Sequence, residues 1–247
     1  MLTKKIVKYI QSLNLKKFRD AEGAFIAEGP KVVGEFLSSK KFVCNIICAE
    51  IDWLLENKTL MIETPSESVF VVDENWLQRI SFLKTPNKVV AIFKEIKPSK
   101  DIILKNKITI MLDELQDPGN LGTIIRIADW FGIENIICSE NCVDCYNPKV
   151  VQSTMGSLAR VTILYTDLNS FIKNNDEIKI YGAALSGTSI FEIGKIKEGI
   201  ILIGNESKGI HETLFNSVSK KITIPRFGNA ESLNAAVALG IILSHVK

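Results

Sequence analysis

The hydrophobic pattern changes rhythm near the middle of the 247-residue chain. Before that point, short apolar runs alternate with stretches of helical period. AFIAEG (24–29) and KFVCNIICAE (41–50) predict strands, and PKVVGEFLSS (30–39) between them predicts a helix opened by Pro30, whose missing N–H is harmless at a first helical position. DENWLQRISF (73–82) predicts another helix with Asp73 as its cap, and VVAIFKEI (89–96) a closing strand. KPSKDIILKNK, from Lys97, is charged, carries a proline and has no period, which marks a linker. The expected layout is a smaller α/β domain over 1–97, a linker over 98–106 and a second domain over 107–247.

In the second part the apolar runs are continuous rather than alternating: ITIMLD, NIICS, RVTILY, KIYGAAL, GIILIGN and KITIP, rich in Ile and Val, most of them separated by enough chain for a helix. Strands buried on both faces read this way, so an α/β fold with a mostly parallel sheet is expected. Ligands of such sheets bind beyond the carboxyl ends of strands, so the segments after each run matter most.

Three exits carry polar chemistry. After ITIMLD come Asp117-Pro118-Gly119-Asn120-Leu121-Gly122 and a helix whose otherwise apolar face holds Arg126. Asn120 is a suitable N-cap, and an arginine near a helix start opposes the dipole, so an anion such as phosphate would compensate it; an ion pair with Asp129 or Glu114 is the structural alternative. After GIILIG come Asn205, Glu206 and Gly209, where glycines allow close backbone approach and a carboxylate can orient a hydroxyl. After KITIP, Ser232 can cap a helix that is small and apolar almost all round, hence buried in the core or against a second subunit. Asn234, in its first turn, needs a polar partner, which the loop backbone could supply as a structural staple.

Charge changes this picture little, because the net value is only +2, but it is uneven. The first nineteen residues hold Lys4, Lys5, Lys8, Lys16, Lys17 and Arg19 with no acid, which suits a phosphate-facing arm or the solvated face of a helix packing Ile6, Val7 and Ile10 inward. Five cysteines without an export signal point to reduced thiols in a cytoplasmic protein, and their spacing with two histidines does not make a metal site. Neither a secretory signal nor a membrane-length apolar run is present in the sequence.

Taken in order, Asn120-x-Gly122-x-x-x-Arg126, Gly204-Asn205-Glu206-x-x-Gly209 and Ile224-Pro225 followed by Ser232-Leu233-Asn234 resemble the SpoU family of SPOUT-class, S-adenosylmethionine-dependent RNA 2'-O-ribose methyltransferases. The resemblance spans about 107–247, and FIAEGPKVVGEFL with VVAIF resembles, less specifically, an accessory module similar to small ribosomal proteins. It implies a SPOUT fold with a C-terminal trefoil knot, a homodimer, and S-adenosylmethionine held at Leu185, Gly204, Asn205, Ile224 and Leu233. It also implies a catalytic set of Asn120, Arg126, Glu206, Ser232 and Asn234, acting on RNA, with ribosomal RNA favoured over transfer RNA. Arg226 after Ile-Pro, and Ile127 after the arginine, depart from the family pattern.

Two readings from other classes compete. A dinucleotide-dependent oxidoreductase would share the α/β pattern, but the chain has no G-x-G-x-x-G. A non-catalytic RNA-binding protein on the same fold is opposed by the intact Asn120, Arg126, Glu206 and Asn234 set.

Overall fold

The computed structural model describes residues 2–97 and 102–247; positions 98–101 of the expected linker lie outside the described residues. Two compact units form: residues 1–97 with 144–159, and residues 98–143 with 160–247. Residues 144–159, which lie within the span expected as the second domain, take their packing partners from the first unit.

The first unit opens with α1 (Lys4–Ser12) and α2 (Lys16–Glu22), followed by β1 (Ala24–Glu28), α3 (Pro30–Ser39), β2 (Cys44–Ala49), α4 (Ile51–Glu56), β3 (Val69–Val71), α5 (Glu74–Ile80) and β4 (Val89–Lys94). Its sheet runs β1-β4-β2-β3, with β4 antiparallel to both neighbours and β2 parallel to β3. Asp73 caps α5 by accepting the Trp76 N–H, as the sequence predicts. β1 is buried along its whole length, so its alternating side chains feed two cores. Ala24 and Ile26 join Ile10, Leu13, Leu77, Ile80 and Ile92 on one side. Phe25 on the other joins Phe36, Phe93 and Tyr146, the last stacked on it at 4.5 Å between centroids.

Arg19 departs from the expected basic arm. It is 1% exposed, and its guanidinium donates to Asp144 Oδ2 through Nε and Nη2 (3.1 and 2.6 Å) and to the carbonyls of Leu13 and Asn14 through Nη1 (2.9 Å each). A buried cation persists only when paired and hydrogen-bonded in this way, so Arg19 is a structural clamp. Lys16 forms an exposed pair with Asp20, leaving Lys4, Lys5, Lys8 and Lys17 as the solvent-facing charges of the arm.

The second unit contains β5 (Ile108–Leu112), α6 (Pro118–Trp130), β6 (Asn135–Cys138), then, beyond the excursion that carries α7 (Pro148–Ser153), β7 (Thr162–Tyr165), α8 (Leu168–Lys173), β8 (Ile180–Ser189), β9 (Gly199–Ile203), α9 (Glu212–Phe215), β10 (Lys220–Thr223) and α10 (Ala235–Val246). The sheet order is β10-β8-β9-β5-β6-β7 and every pairing is parallel, which is what the continuous apolar runs require. Met111, Ile137, Ile200 and Leu202 pack with Leu168, Ile172 and Leu214. α10 packs against α6, burying Ala235, Ala236, Leu239, Ile242, Leu243 and Val246, while Val237 on the same helix is half exposed. Order along this sheet reverses at β9-β5, with β8 on one side and β6 on the other, so the exits of β5 and β9 lie side by side.

Candidate active site

The β5 exit runs from Asp113 to Asp117 and enters α6 through Pro118. The cap of α6 is Asp117, which accepts the Asn120 N–H at 2.7 Å, not Asn120 as the sequence suggests. Proline at the first helical position fixes the start three residues earlier, and this frees the Asn120 side chain. Likewise α10 is capped by Asn234, whose Oδ1 accepts from Ala236 N (3.0 Å) and Val237 N (3.2 Å), whereas Ser232 is an exposed loop residue before the cap.

These two corrections create the central feature of the site. Because Asn234 Oδ1 is committed to the helix start, its Nδ2 turns outward and donates to Asn120 Oδ1 at 2.7 Å. Asn120 must then present its own Nδ2 on the other side, where it donates to Glu206 Oε1 at 2.8 Å. A directional chain, Asn234 to Asn120 to Glu206, therefore joins residues 114 and 86 positions apart and ends on an exposed carboxylate. Donor and acceptor roles along it are dictated by the helix cap.

Asn205 builds the loop that carries Glu206. Its backbone exchanges both hydrogen bonds with Gly209 (2.9 Å each), its Oδ1 accepts from Ser207 and Lys208 N–H groups, and its Nδ2 donates to the Glu114 carbonyl at 2.8 Å. Gly204 serves the same turn. A Cβ there would lie 2.2 Å from the Gly209 carbonyl carbon and the Ile210 nitrogen, so the close approach that demands glycine is made by the chain itself. Leu185, 80% exposed, and Leu233, 49% exposed, present apolar side chains to solvent, with half-buried Ile224 following β10; the Leu185 carbonyl accepts from Thr223 Oγ1.

Arg126 sits on α6 about two and a half turns from the Asp117 cap, too far for the dipole argument to apply. It is exposed, and among the described residues it makes no hydrogen bond or ion pair within the chain. The two acids expected as alternatives are used elsewhere: Asp129 takes a forked pair of bonds from Arg160 (3.0 and 2.8 Å), and Glu114 accepts from Asn141. Arg226 folds back to donate to the Ala230 carbonyl in the loop before Ser232.

Sequence reasoning gave Asp113 no role and Glu114 only that of an ion-pair partner for Arg126. Asp113, 4% exposed, accepts the His211 N–H at 2.7 Å, and burial pushes its carboxyl above the usual range. Glu114 adopts a left-handed backbone (φ 52°), held by Ser139 Oγ at its N–H and Asn205 at its carbonyl. Among the described residues no three His, Cys, Asp or Glu side chains gather as metal ligands.

Comparison with known proteins agrees with this geometry. Residues 107–244 match the model of the SpoU rRNA Methylase family, and residues 4–91 match that of an MRM3-like substrate binding domain. The chain is 29% identical over 244 residues to the 23S rRNA (guanosine(2553)-2'-O)-methyltransferase RlmP of Bacillus subtilis, covering 98% of this chain and 95% of that protein. The AdoMet-bound rRNA methyltransferase of Sinorhizobium meliloti superposes with a TM-score of 0.89 at 31% identity, over 100% of this chain and 95% of its own. The AdoMet complex of the SpoU methyltransferase AviRb from Streptomyces viridochromogenes, at 22% identity and a TM-score of 0.84 over 99% and 97% of the two chains, shares the fold. With three motifs brought to one end of a parallel sheet and a family model covering the whole of that unit's sheet, the chain belongs to the SpoU rRNA methylase family, with the fold of the SPOUT class.

Proposed function

We propose that the protein transfers the methyl group of S-adenosylmethionine to a ribose 2'-hydroxyl of ribosomal RNA. The observation that carries this reading is the Asn234–Asn120–Glu206 chain, which presents one oriented carboxylate where the exits of β5, β9 and β10 meet. The names of RlmP and the S. meliloti enzyme support the substrate and the donor. The residues fit the donor: exposed Leu185 and Leu233 and half-buried Ile224 offer apolar side chains and backbone groups of the kind that take an adenine ring. A trefoil knot threading the loop between β10 and α10 is part of the same proposal. When bound, S-adenosylmethionine supplies an already activated methyl group.

The protein's task is then positioning. Glu206, fixed by Asn120, orients the ribose hydroxyl, and Arg126 holds the neighbouring phosphate and the oxygen as charge develops on it. Arg126 is not the base, because a guanidinium is not deprotonated in proteins. Ser232 and Arg226 are exposed in the loop between β10 and α10. That Arg126 has no partner among the described residues, together with exposed Trp130 and Val237 on the two packed helices, supports a homodimer in which a second copy completes the site. Lys4, Lys5, Lys8 and Lys17 add sequence-independent affinity for RNA, and the cytoplasm is where such a substrate is met.

Mapping 2'-O-methyl groups in RNA from cells with and without the gene tests the reading. Loss of one ribosomal site is expected. An unchanged ribosomal pattern with a lost transfer RNA site would move the substrate, and no change in either would overturn the activity.

A further inference from the structure

Beneath the β5 exit lies a pair of sulfurs that methyl transfer does not use. Cys138 ends β6 and is fully buried; Cys142 follows one turn later and is 8% exposed. The Cys142 sulfur is threaded into the loop that leads to α6: it accepts the Leu115 N–H at 3.3 Å, lies 3.4 Å from Ser139 Oγ and 3.4 Å from the Leu112 carbonyl, and is hydrogen-bonded to the Cys138 thiol. We propose that Cys138 and Cys142 form a dithiol–disulfide pair, oxidised by hydroperoxide, that controls the seating of the β5 exit loop. Its effect on methyl transfer rests on the function proposed above.

The environment favours attack by Cys142. Donation from the Cys138 thiol, then from Ser139 and the Leu115 N–H, outweighs burial and lowers its pKa to about 7. Cys44 and Cys48 contrast with it, since burial pushes both up to about 12 and keeps them protonated. The Cys142 thiolate attacks one peroxide oxygen, an S–O bond forms as the O–O bond breaks, and the departing hydroxide takes a proton to give water. Cys138 then loses its proton and attacks the Cys142 sulfur; the S–S bond forms, the S–O bond breaks and a second water leaves. Two thiols and one peroxide give one disulfide and two waters. Hydroperoxide is small enough for a site this enclosed.

Coupling to the active site follows from the bonds. The sulfurs must close from hydrogen-bond distance to about 2.05 Å, which pulls Cys142 away from Leu115 and removes its S–H from the Leu112 carbonyl. Leu115 follows Glu114, whose N–H is held by Ser139 Oγ and whose carbonyl holds Asn205. The displacement therefore reaches the loop bearing Glu206.

The experiment treats the full-length protein, freed of reductant, with hydrogen peroxide at pH 7.5, blocks remaining thiols with iodoacetamide after unfolding, and maps peptides by mass. The expected product is a Cys138–Cys142 disulfide, two hydrogens lighter, that dithiothreitol reverses. Both thiols remaining alkylatable, or a bridge mapping to other cysteines, overturns the pair whether or not the protein is a methyltransferase. Methyl transfer should fall on the order of tenfold or more on oxidation and recover on reduction, since a 1 Å displacement near a site is that costly. Unchanged transfer with the bridge formed overturns the coupling. In Cys138→Ala or Cys138→Ser, Cys142 should pass to sulfinic acid without forming a reversible bridge; persistence of reversible protection in both overturns the assignment of Cys138 as its partner.

Discussion

Replacing Arg19 by alanine tests whether the first basic segment grips RNA or holds the protein together. The substitution deletes four hydrogen bonds, two to Asp144 Oδ2 and one each to the carbonyls of Leu13 and Asn14. It leaves the Asp144 carboxylate, 15% exposed, without its cation, although Oδ1 keeps the Tyr146 N–H. Breaking a buried pair by removing one partner costs about 3–5 kcal/mol. Because water reaches one edge of Asp144 the lower end applies, so the expected loss is about 3 kcal/mol. Trp53 and Trp76 report on this unit, and exposed Trp130, which lies in the other, can be removed as phenylalanine so that fluorescence follows the first unit alone in urea. Arg19→Met with Asp144→Leu should cost less than the sum of the single changes, because no unpaired charge remains. A loss under about 1 kcal/mol, or a shallower salt dependence of RNA binding at unchanged stability, would refute the clamp and return Arg19 to the RNA-facing surface.

Arg126→Ala should abolish methyl transfer while shifting stability by no more than about 0.5 kcal/mol, because the side chain is exposed and has no partner among the described residues; activity retained in Arg126→Lys would exclude a role for the planar fork. Gly204→Val should disrupt the loop itself, with proteolytic cleavage near 204–210 rising before any effect on the first unit; a folded variant of normal stability would show that the 2.2 Å approach relaxes cheaply. Glu95 has its carboxyl raised to about 7 by burial and by the charges of Asp144 and Asp20. A raised folded-state value means that its contribution to stability is complete below about pH 4.5 and is lost as pH rises through 7, so Glu95→Gln should flatten the stability profile across that window and leave the protein more stable above it. Parallel profiles for the two proteins would show that Glu95 titrates as in water.

The second sheet was legible because runs such as ITIMLD and GIILIGN have no polar face to place in water, which leaves a parallel, doubly covered sheet as their natural setting. Which polar residue caps each helix was not. Asp117 and Asn120 are both good caps, and only the proline between them decides; Ser232 and Asn234 compete in the same way, and there nothing local decides. Gly204 marks a close approach, but a sequence does not say whether the neighbour is a ligand or residues 209–210 of the same loop. The excursion over 144–159 was hidden for a different reason. It reads as an ordinary helix-bearing connection between two strands, and its partners, Arg19 and Phe25, are more than a hundred residues away in the chain.

That excursion orders events during synthesis. The first unit closes its core with Tyr146 on Phe25, buried Val150 and Val151 on α7, and Gly156 against Glu35, so the end of its first segment at Lys97 does not complete it. At typical elongation of about 5–20 residues per second, the remaining stretch to Ala159 takes roughly 3–12 s, during which Phe25 and Arg19 wait without their partners. The β5 and β6 strands emerge in that interval, before the unit that precedes them has closed. A ribosome-bound chain halted after residue 130 should therefore be far more sensitive to protease within residues 13–42 than one halted after 200, although both carry every residue of the first segment.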